Sequence, residues 1–398
     1  MKIISSNMIK LYEKQSYLRE CEAVVTDCFT KDGFVYVRLD RTIFFPEEGG
    51  QYADLGELVY GDNTSVRLLG GEVTDKSGKD IIYRVESEVP VGEVKCILNW
   101  DLRYERMQNH SGEHVLTGTI HNEFGYDNVG FHLSDDGPVT LDMNGVLTWE
   151  EVMEMERKAN EVIYNNLPIT DSYPTGAELA NLSYRSKIEI EGQVRLITIG
   201  DRDNPIDVCA CCAPHVKTTG EIGIIKVISM VNWKGGVRIS MLAGRRALRY
   251  INDRFDIIRS VTERLTTSFD NVPDIIDGYK KEIGESKALI NKTYVSLAEK
   301  ICSASGSPFV FFDSDCPMSA MKNILSTLIN MTDGYAGVFV GEDGSYRYMI
   351  GSKDKDSRIV ASLLKEKLDA RGGGKSDSVQ GQVASCKEDI EKVLAGLL

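Results

Sequence analysis

Two periods of apolar residues divide the chain. From 22 to about 98 the alternation is two-fold, with Val35, Val37 and Leu39 set against Tyr36 and Arg38 after an Asp32-Gly33 turn. Further β-like runs at 58–60, 81–85 and 94–98 predict a small antiparallel barrel or sheet. The period then changes. Met107, Leu116 and Ile120 recur at helical spacing and predict a helix from about Leu102 to Gly125, a residue suited to a helix C-terminus. Short strands at 129–133 and 139–143 follow. Thr148-Trp149-Glu150-Glu151 is a capping-box pattern opening a helix to about Asn165, and strands near 194–199 and 222–228 complete an α+β stretch.

After Met241 the texture changes again. Ile258, Val261 and Leu265, then Ile276, Tyr279, Ile283, Ile290 and Leu297, with Pro273 between them, predict two long helices forming a hairpin or arm. From Pro308 onward, strands at 309–312, 338–340 and 346–350 and helices at 320–331 and 359–368 predict an α/β unit. The expected architecture is therefore α+β in four parts: a barrel-like domain at 1–95, an α+β domain at 96–245, a helical arm at 246–304 and a Gly-rich unit at 305–398.

Length and charge narrow the function. A chain of 398 residues exceeds one small core, and a formal charge of -14 argues against nonspecific affinity for nucleic acid while leaving room for a local basic surface. No apolar run approaches the ~18 residues of a membrane span, and residues 1–7 lack the apolar core of a leader. A cytoplasmic protein without a membrane partner is expected. Nine Cys, three of them between 209 and 212, read in a reducing compartment as metal-binding or reactive thiols.

That cluster is half of the conspicuous chemistry. His110 and His114 stand four apart on the predicted helix, so both imidazoles leave one face. Cys211 and His215 repeat the spacing. One thiolate and three imidazoles suit zinc in tetrahedral geometry, and three of the chain's five His fall in these two segments. His121 and His132 have no such spacing and read as ordinary residues. Gly49-Gly50 permits a sharp turn or close approach, and Gln51 would offer an amide there. Gly374-Lys375-Ser376 suggests a phosphate-binding loop, but Asp369 stands where that motif needs Gly and no strand is predicted just before it, so nucleotide hydrolysis is rejected. A Gly-rich turn bearing Arg371 and Lys375 could still meet a phosphate backbone.

Taken in order, Gly49-Gly50-Gln51, His110-x-x-x-His114, Cys211-x-x-x-His215 with Val216-Lys217-Thr218-Thr219-Gly220 after it, and Gly372-Gly373-Gly374 resemble the alanyl-tRNA editing proteins, free-standing relatives of the editing domain of alanyl-tRNA synthetase. The resemblance runs through nearly the whole chain and matches the long form. It implies an ATP-independent, zinc-dependent deacylase that removes serine, and glycine as a second substrate, from tRNA for alanine. It also implies that His110, His114, Cys211 and His215 hold the zinc, that Gln51 lies in the editing pocket, and that Thr42 senses the serine hydroxyl. Glu113 stands where the family carries Thr or Gln, and Cys212-Ala213-Pro214 replaces Gly-Gly-Thr. The ligating thiol is thereby left open among Cys209, Cys211 and Cys212. Four protein ligands describe a closed site, so the metal either sheds a ligand or positions the ester while Gln51, Glu113 or substrate hydroxyls orient water. For tRNA contact the residues are Arg245, Arg246 and Arg249 at the start of the arm, with Arg371 and Lys375, and a homodimer through the arm or the last unit is a further expectation. The competing readings are a catalytically inactive tRNA-binding or synthetase-associated protein and a zinc peptidase of the inverted His-x-x-Glu-His type with Glu113 as base.

Overall fold

The two-fold alternation closes on itself. In the computed structural model, which describes residues 8–61, 63–75, 80–133, 135, 137–186 and 193–397, six strands form a closed barrel. Around it run Glu20–Lys31, Phe34–Leu39, Ile81–Val85, Thr64–Val73, Gly56–Tyr60 and Gly92–Leu98. Val25, Val37, Leu58, Leu68, Ile81 and Tyr83 fill its interior. The strand Thr64–Val73 escaped the sequence reading because Gly70-Gly71 breaks its alternation, and the pairing register shifts there. Residues 1–7, read above as lacking a leader, lie outside the described residues.

The helix predicted from Leu102 runs Trp100–Phe124, capped by the Asn99 side chain and by Gly125 in the left-handed conformation. Every residue from Arg106 to Gly118 is buried, so the polar side chains on this helix are interior side chains. Around it pack a four-stranded sheet, in the order Ile225–Trp233, Gly236–Ala243, Val139–Met143, Asn128–His132, and a three-stranded sheet of Ile169–Ser172, Leu196–Asp201 and Asn204–Ala210. The capping box at Thr148 is formed on helix Trp149–Tyr164. The strand expected at 222–228 begins only at Ile225, because a 3-10 turn occupies Thr219–Ile222 and Gly223, at φ +83°, ends it.

An ion pair ties the helix to the barrel. Arg103 Nε lies 3.0 and 2.9 Å from the two Asp54 oxygens, and its other nitrogens donate to the carbonyls of Ser16 and Ile43. Both partners are fully buried. Removing one member of such a pair leaves a buried charge and costs roughly 3–5 kcal/mol.

By contacts the chain divides into two compact units, Met1–Ile257 and Ile258–Leu398. In the second, helix Val272–Ser305 takes Pro273 in its first turn, where a missing N–H costs nothing. A five-stranded sheet follows in the order Phe309–Phe312, Tyr335–Glu342, Ser345–Ser352, Ser378–Val383, Arg371–Gly374. The last of these corrects the sequence reading: Gly372-Gly373-Gly374 is an edge strand, not a turn. A Cβ at Gly372 or Gly374 would stand 2.3 or 2.2 Å from a neighbouring carbonyl oxygen, so only glycine fits that pairing. No helix among the described residues is long and apolar enough to cross a membrane.

Candidate metal centre

His110 and His114 project one turn apart from the buried helix, their rings 5.3 Å apart. Cys211 and His215 come from the segment after strand Asn204–Ala210. Arg195 fixes that segment by accepting from Cys211 N–H at its own carbonyl, 3.1 Å away, and donating to the carbonyl of Ala213 at 2.8 Å. One donor atom from each of the four residues lies within 4.8 Å of all the others. Cys211 Sγ is 3.5 Å from His110 Nε2 and 3.3 Å from His215 Nε2.

What turns these atoms toward one another is the set of partners behind them. His110 Nδ1 lies 2.7 Å from Gln51 Oε1, His114 Nδ1 3.0 Å from Asp207 Oδ2, and His215 Nδ1 3.0 Å from Ser111 Oγ. With each Nδ1 engaged, each Nε2 is left facing the sulfur. Outer partners of this kind orient metal-binding imidazoles. Zinc bonded to nitrogen at ~2.0 Å and sulfur at ~2.3 Å in tetrahedral geometry spaces its donors about 3.3–3.8 Å apart. The observed separations from the sulfur match, so the residues present fit a zinc ion.

Electrostatics points to a cation. Burial drives the Cys211 thiol toward its neutral form, but the neighbouring His110 and His215 outweigh it and hold the group well below the usual thiol range. Burial likewise opposes charge on His114, yet the Glu113 carboxylate and the bond to Asp207 raise it to about 9. His215, buried, falls to about 3. Burial pushes the other two thiols, Cys209 and Cys212, up. Cys209 also shares a tight group with His114 and Asp207, but Asp207 already holds the Nδ1 there. Cys211 is the thiol that completes the four-residue set.

Gln51 reaches the centre because its loop folds tightly. Gly50, at φ +82°, would place a Cβ 2.6 Å from the carbonyl oxygen of Phe131, and its own carbonyl accepts from Leu133 N–H at 2.9 Å. Gln51 Nε2 is buried with no hydrogen-bond partner among the described residues. Thr42 does not join the cluster: its buried hydroxyl accepts from Phe44 N–H at 3.0 Å and shapes the turn leading to that loop. Glu113 is fully buried, its Oε1 bonded to Asn128 Nδ2.

The expected tRNA contacts separate. Arg246 is buried and donates to the carbonyl of Gly137. Arg245 is exposed and pairs with Asp101, and Arg249 forks onto both oxygens of Glu105. Arg371 and Lys375 are exposed at the ends of the edge strand. His121 pairs with Asp127, and His132 meets the Tyr52 ring edge-on. Missed by sequence were Asp207, Ser111 and Asn128. A carboxylate on the strand leading to Cys211 was the signal available for the first; Ser111 and Asn128 carried none.

Residues 194–240 match the family described as the threonyl and alanyl tRNA synthetase second additional domain. The chain is 29% identical to the alanyl-tRNA editing protein AlaX-L of Pyrococcus horikoshii and 26% identical to the alanyl-tRNA editing protein Aarsd1 of Danio rerio, in each case over 96% of both chains. It is 32% identical to the alanine–tRNA ligase of Pyrobaculum aerophilum over 68% of this chain but 30% of that one.

Proposed function

We propose, from a resemblance to alanyl-tRNA editing proteins that spans 96% of the chain, that this protein is a trans-editing deacylase. It hydrolyses the ester of serine, and secondarily of glycine, on tRNA for alanine. The observation that carries the reading is the convergence of His110, His114, Cys211 and His215 on one point, with Gln51 among the groups behind them.

The task has a physical logic. A pocket for alanine rejects a side chain that merely adds a hydroxyl by only about 100-fold, so a second site must remove the error. A site with a polar group requiring a partner discriminates the other way, because alanine leaves that group unsatisfied. Gln51 Nε2 is such a group. It shares the serine-sensing role that the resemblance implies for Thr42, whose hydroxyl also shapes the turn leading to the loop.

The chain's own residues then divide the work. His110, His114, Cys211 and His215 would hold zinc, which when bound supplies a Lewis acid toward the ester carbonyl or a water molecule. Gln51 bonds His110 on one side and offers its amide N–H on the other. Glu113 has one oxygen held by Asn128 and the other 3.7 Å from His114 Nε2, the nitrogen that faces the cluster, and is a proposed group for orienting water there. Arg245, Arg249, Arg371 and Lys375 are the proposed contacts to the tRNA backbone.

The test is hydrolysis of Ser-tRNA, Gly-tRNA and Ala-tRNA, all on tRNA for alanine, by zinc-loaded protein. Serine is expected to be lost fastest and alanine spared. Binding of all three without hydrolysis would favour the inactive binding protein.

A further inference from the structure

We infer that Arg185, which lies in a segment without any recognisable motif, is a positioning residue for the metal centre and acts through Asp207 on His114. The inference rests on the reading that the four-residue cluster binds a metal.

Its geometry is closed on three sides. Arg185 Nε donates to Asp207 Oδ1 at 2.8 Å, while Asp207 Oδ2 takes His114 Nδ1 at 3.0 Å, so one carboxylate is divided between the guanidinium and the imidazole. Arg185 Nη2 donates to Thr117 Oγ1 at 2.9 Å, and that hydroxyl donates to the carbonyl of Glu113, beside His114 on the same helix. The backbone of Arg185 is itself stitched to the strand that leads into Cys211, its N–H to the carbonyl of Val208 at 2.8 Å and its carbonyl to the N–H of Ala210 at 2.9 Å. Arg185 therefore joins the element carrying His114 to the element carrying Cys211.

The chemistry explains why arginine stands here. Asp207 and Arg185 are 1% and 10% exposed at their side chains, so neither charge is sustained by water. Asp207 unpaired would be a costly buried charge free to rotate away from His114. A guanidinium has donors at fixed angles and serves Asp207 and Thr117 together. A lysine ammonium can neutralise Asp207 but lacks the fixed pair of donors that Arg185 directs at the two acceptors.

The experiment is zinc affinity by chelator competition in wild type, Arg185→Met, Arg185→Lys, Asp207→Asn and the double variant Arg185→Met/Asp207→Asn, with circular dichroism to verify the fold. Loss of an outer partner typically lowers metal affinity 10–100-fold, so Arg185→Met is expected to raise the zinc Kd by about that factor. Arg185→Lys is expected to recover part of the loss, and it carries the test if the methionine variant does not fold. Because Arg185 acts through Asp207, adding Arg185→Met to Asp207→Asn should change Kd by less than about 2-fold. Equal losses in both backgrounds, full affinity in Arg185→Met, or a lysine variant no better than methionine would overturn the inference. A wild type that binds no zinc would instead overturn the metal reading beneath it.

Discussion

The space between His114 Nε2 and the Cys211 sulfur can hold a proton or a metal ion, and pH decides the competition. In the metal-free protein the Glu113 and Asp207 carboxylates overcome burial and raise His114 to about 9, above its ordinary value near 6.5. Because the folded value is raised, the protonated imidazole stabilises the metal-free fold fully below pH 6.5, and that contribution is lost as pH rises through 9. A metal ion that takes the same nitrogen would therefore displace this proton near neutrality. Calorimetry of zinc binding in buffers of differing ionisation enthalpy should show about one proton released from His114 per metal between pH 7 and 8, falling toward none above about pH 10. The Cys211 thiol, already held low, adds little. No proton release at pH 7 would contradict the charge assigned to His114. At this scale His110 and His114 were legible because spacing of four along a helix is a property of the sequence, whereas Cys211 and His215 repeat that spacing in an irregular segment. The groups behind them were not, since Asp207 is brought to His114 by the packing of a strand against a helix. Thr42, which the resemblance offered as a sensor, has its hydroxyl accepting from a backbone N–H two residues on, a local bond that the sequence does not display.

Among the elements, the edge strand Arg371–Gly374 makes a claim of its own. Three glycines leave its backbone open along an exposed sheet edge, between Arg371 and Lys375. If this edge meets the tRNA backbone, replacing both cations by Gln should weaken tRNA binding and reduce the slope of log Kd against log salt by about 1–2. An unchanged slope would remove the strand from the tRNA contact. Helices and barrel strands with uninterrupted periodicity, such as Trp149–Tyr164 and Phe34–Leu39, were legible to within a residue or two. Elements defined by glycine were not, because glycine carries no side chain with which to show a period: Thr64–Val73 was missed and Arg371–Gly374 was taken for a turn. The buried helix Trp100–Phe124 was found, but its spacing of apolar residues did not display that the polar side chains between Arg106 and Gly118 are interior.

For the whole molecule, a barrel and an α+β body share the first compact unit, and a mixed five-stranded sheet organises the second. Within the first unit the buried Arg103–Asp54 pair holds the loop bearing Gln51 against the helix bearing His110, so the barrel is a structural part of the site. The central claim is that this assembly performs metal-linked editing. Its most direct measurement is the rate of Ser-tRNA hydrolysis, on tRNA for alanine, by zinc-loaded wild type and by Cys211→Ala at equal protein concentration, with bound zinc counted in both. The account predicts one zinc per wild-type chain with rapid deacylation, and loss of both metal and at least about 100-fold of the rate in the variant. Wild-type rates in a Cys211→Ala protein that holds no zinc would contradict it.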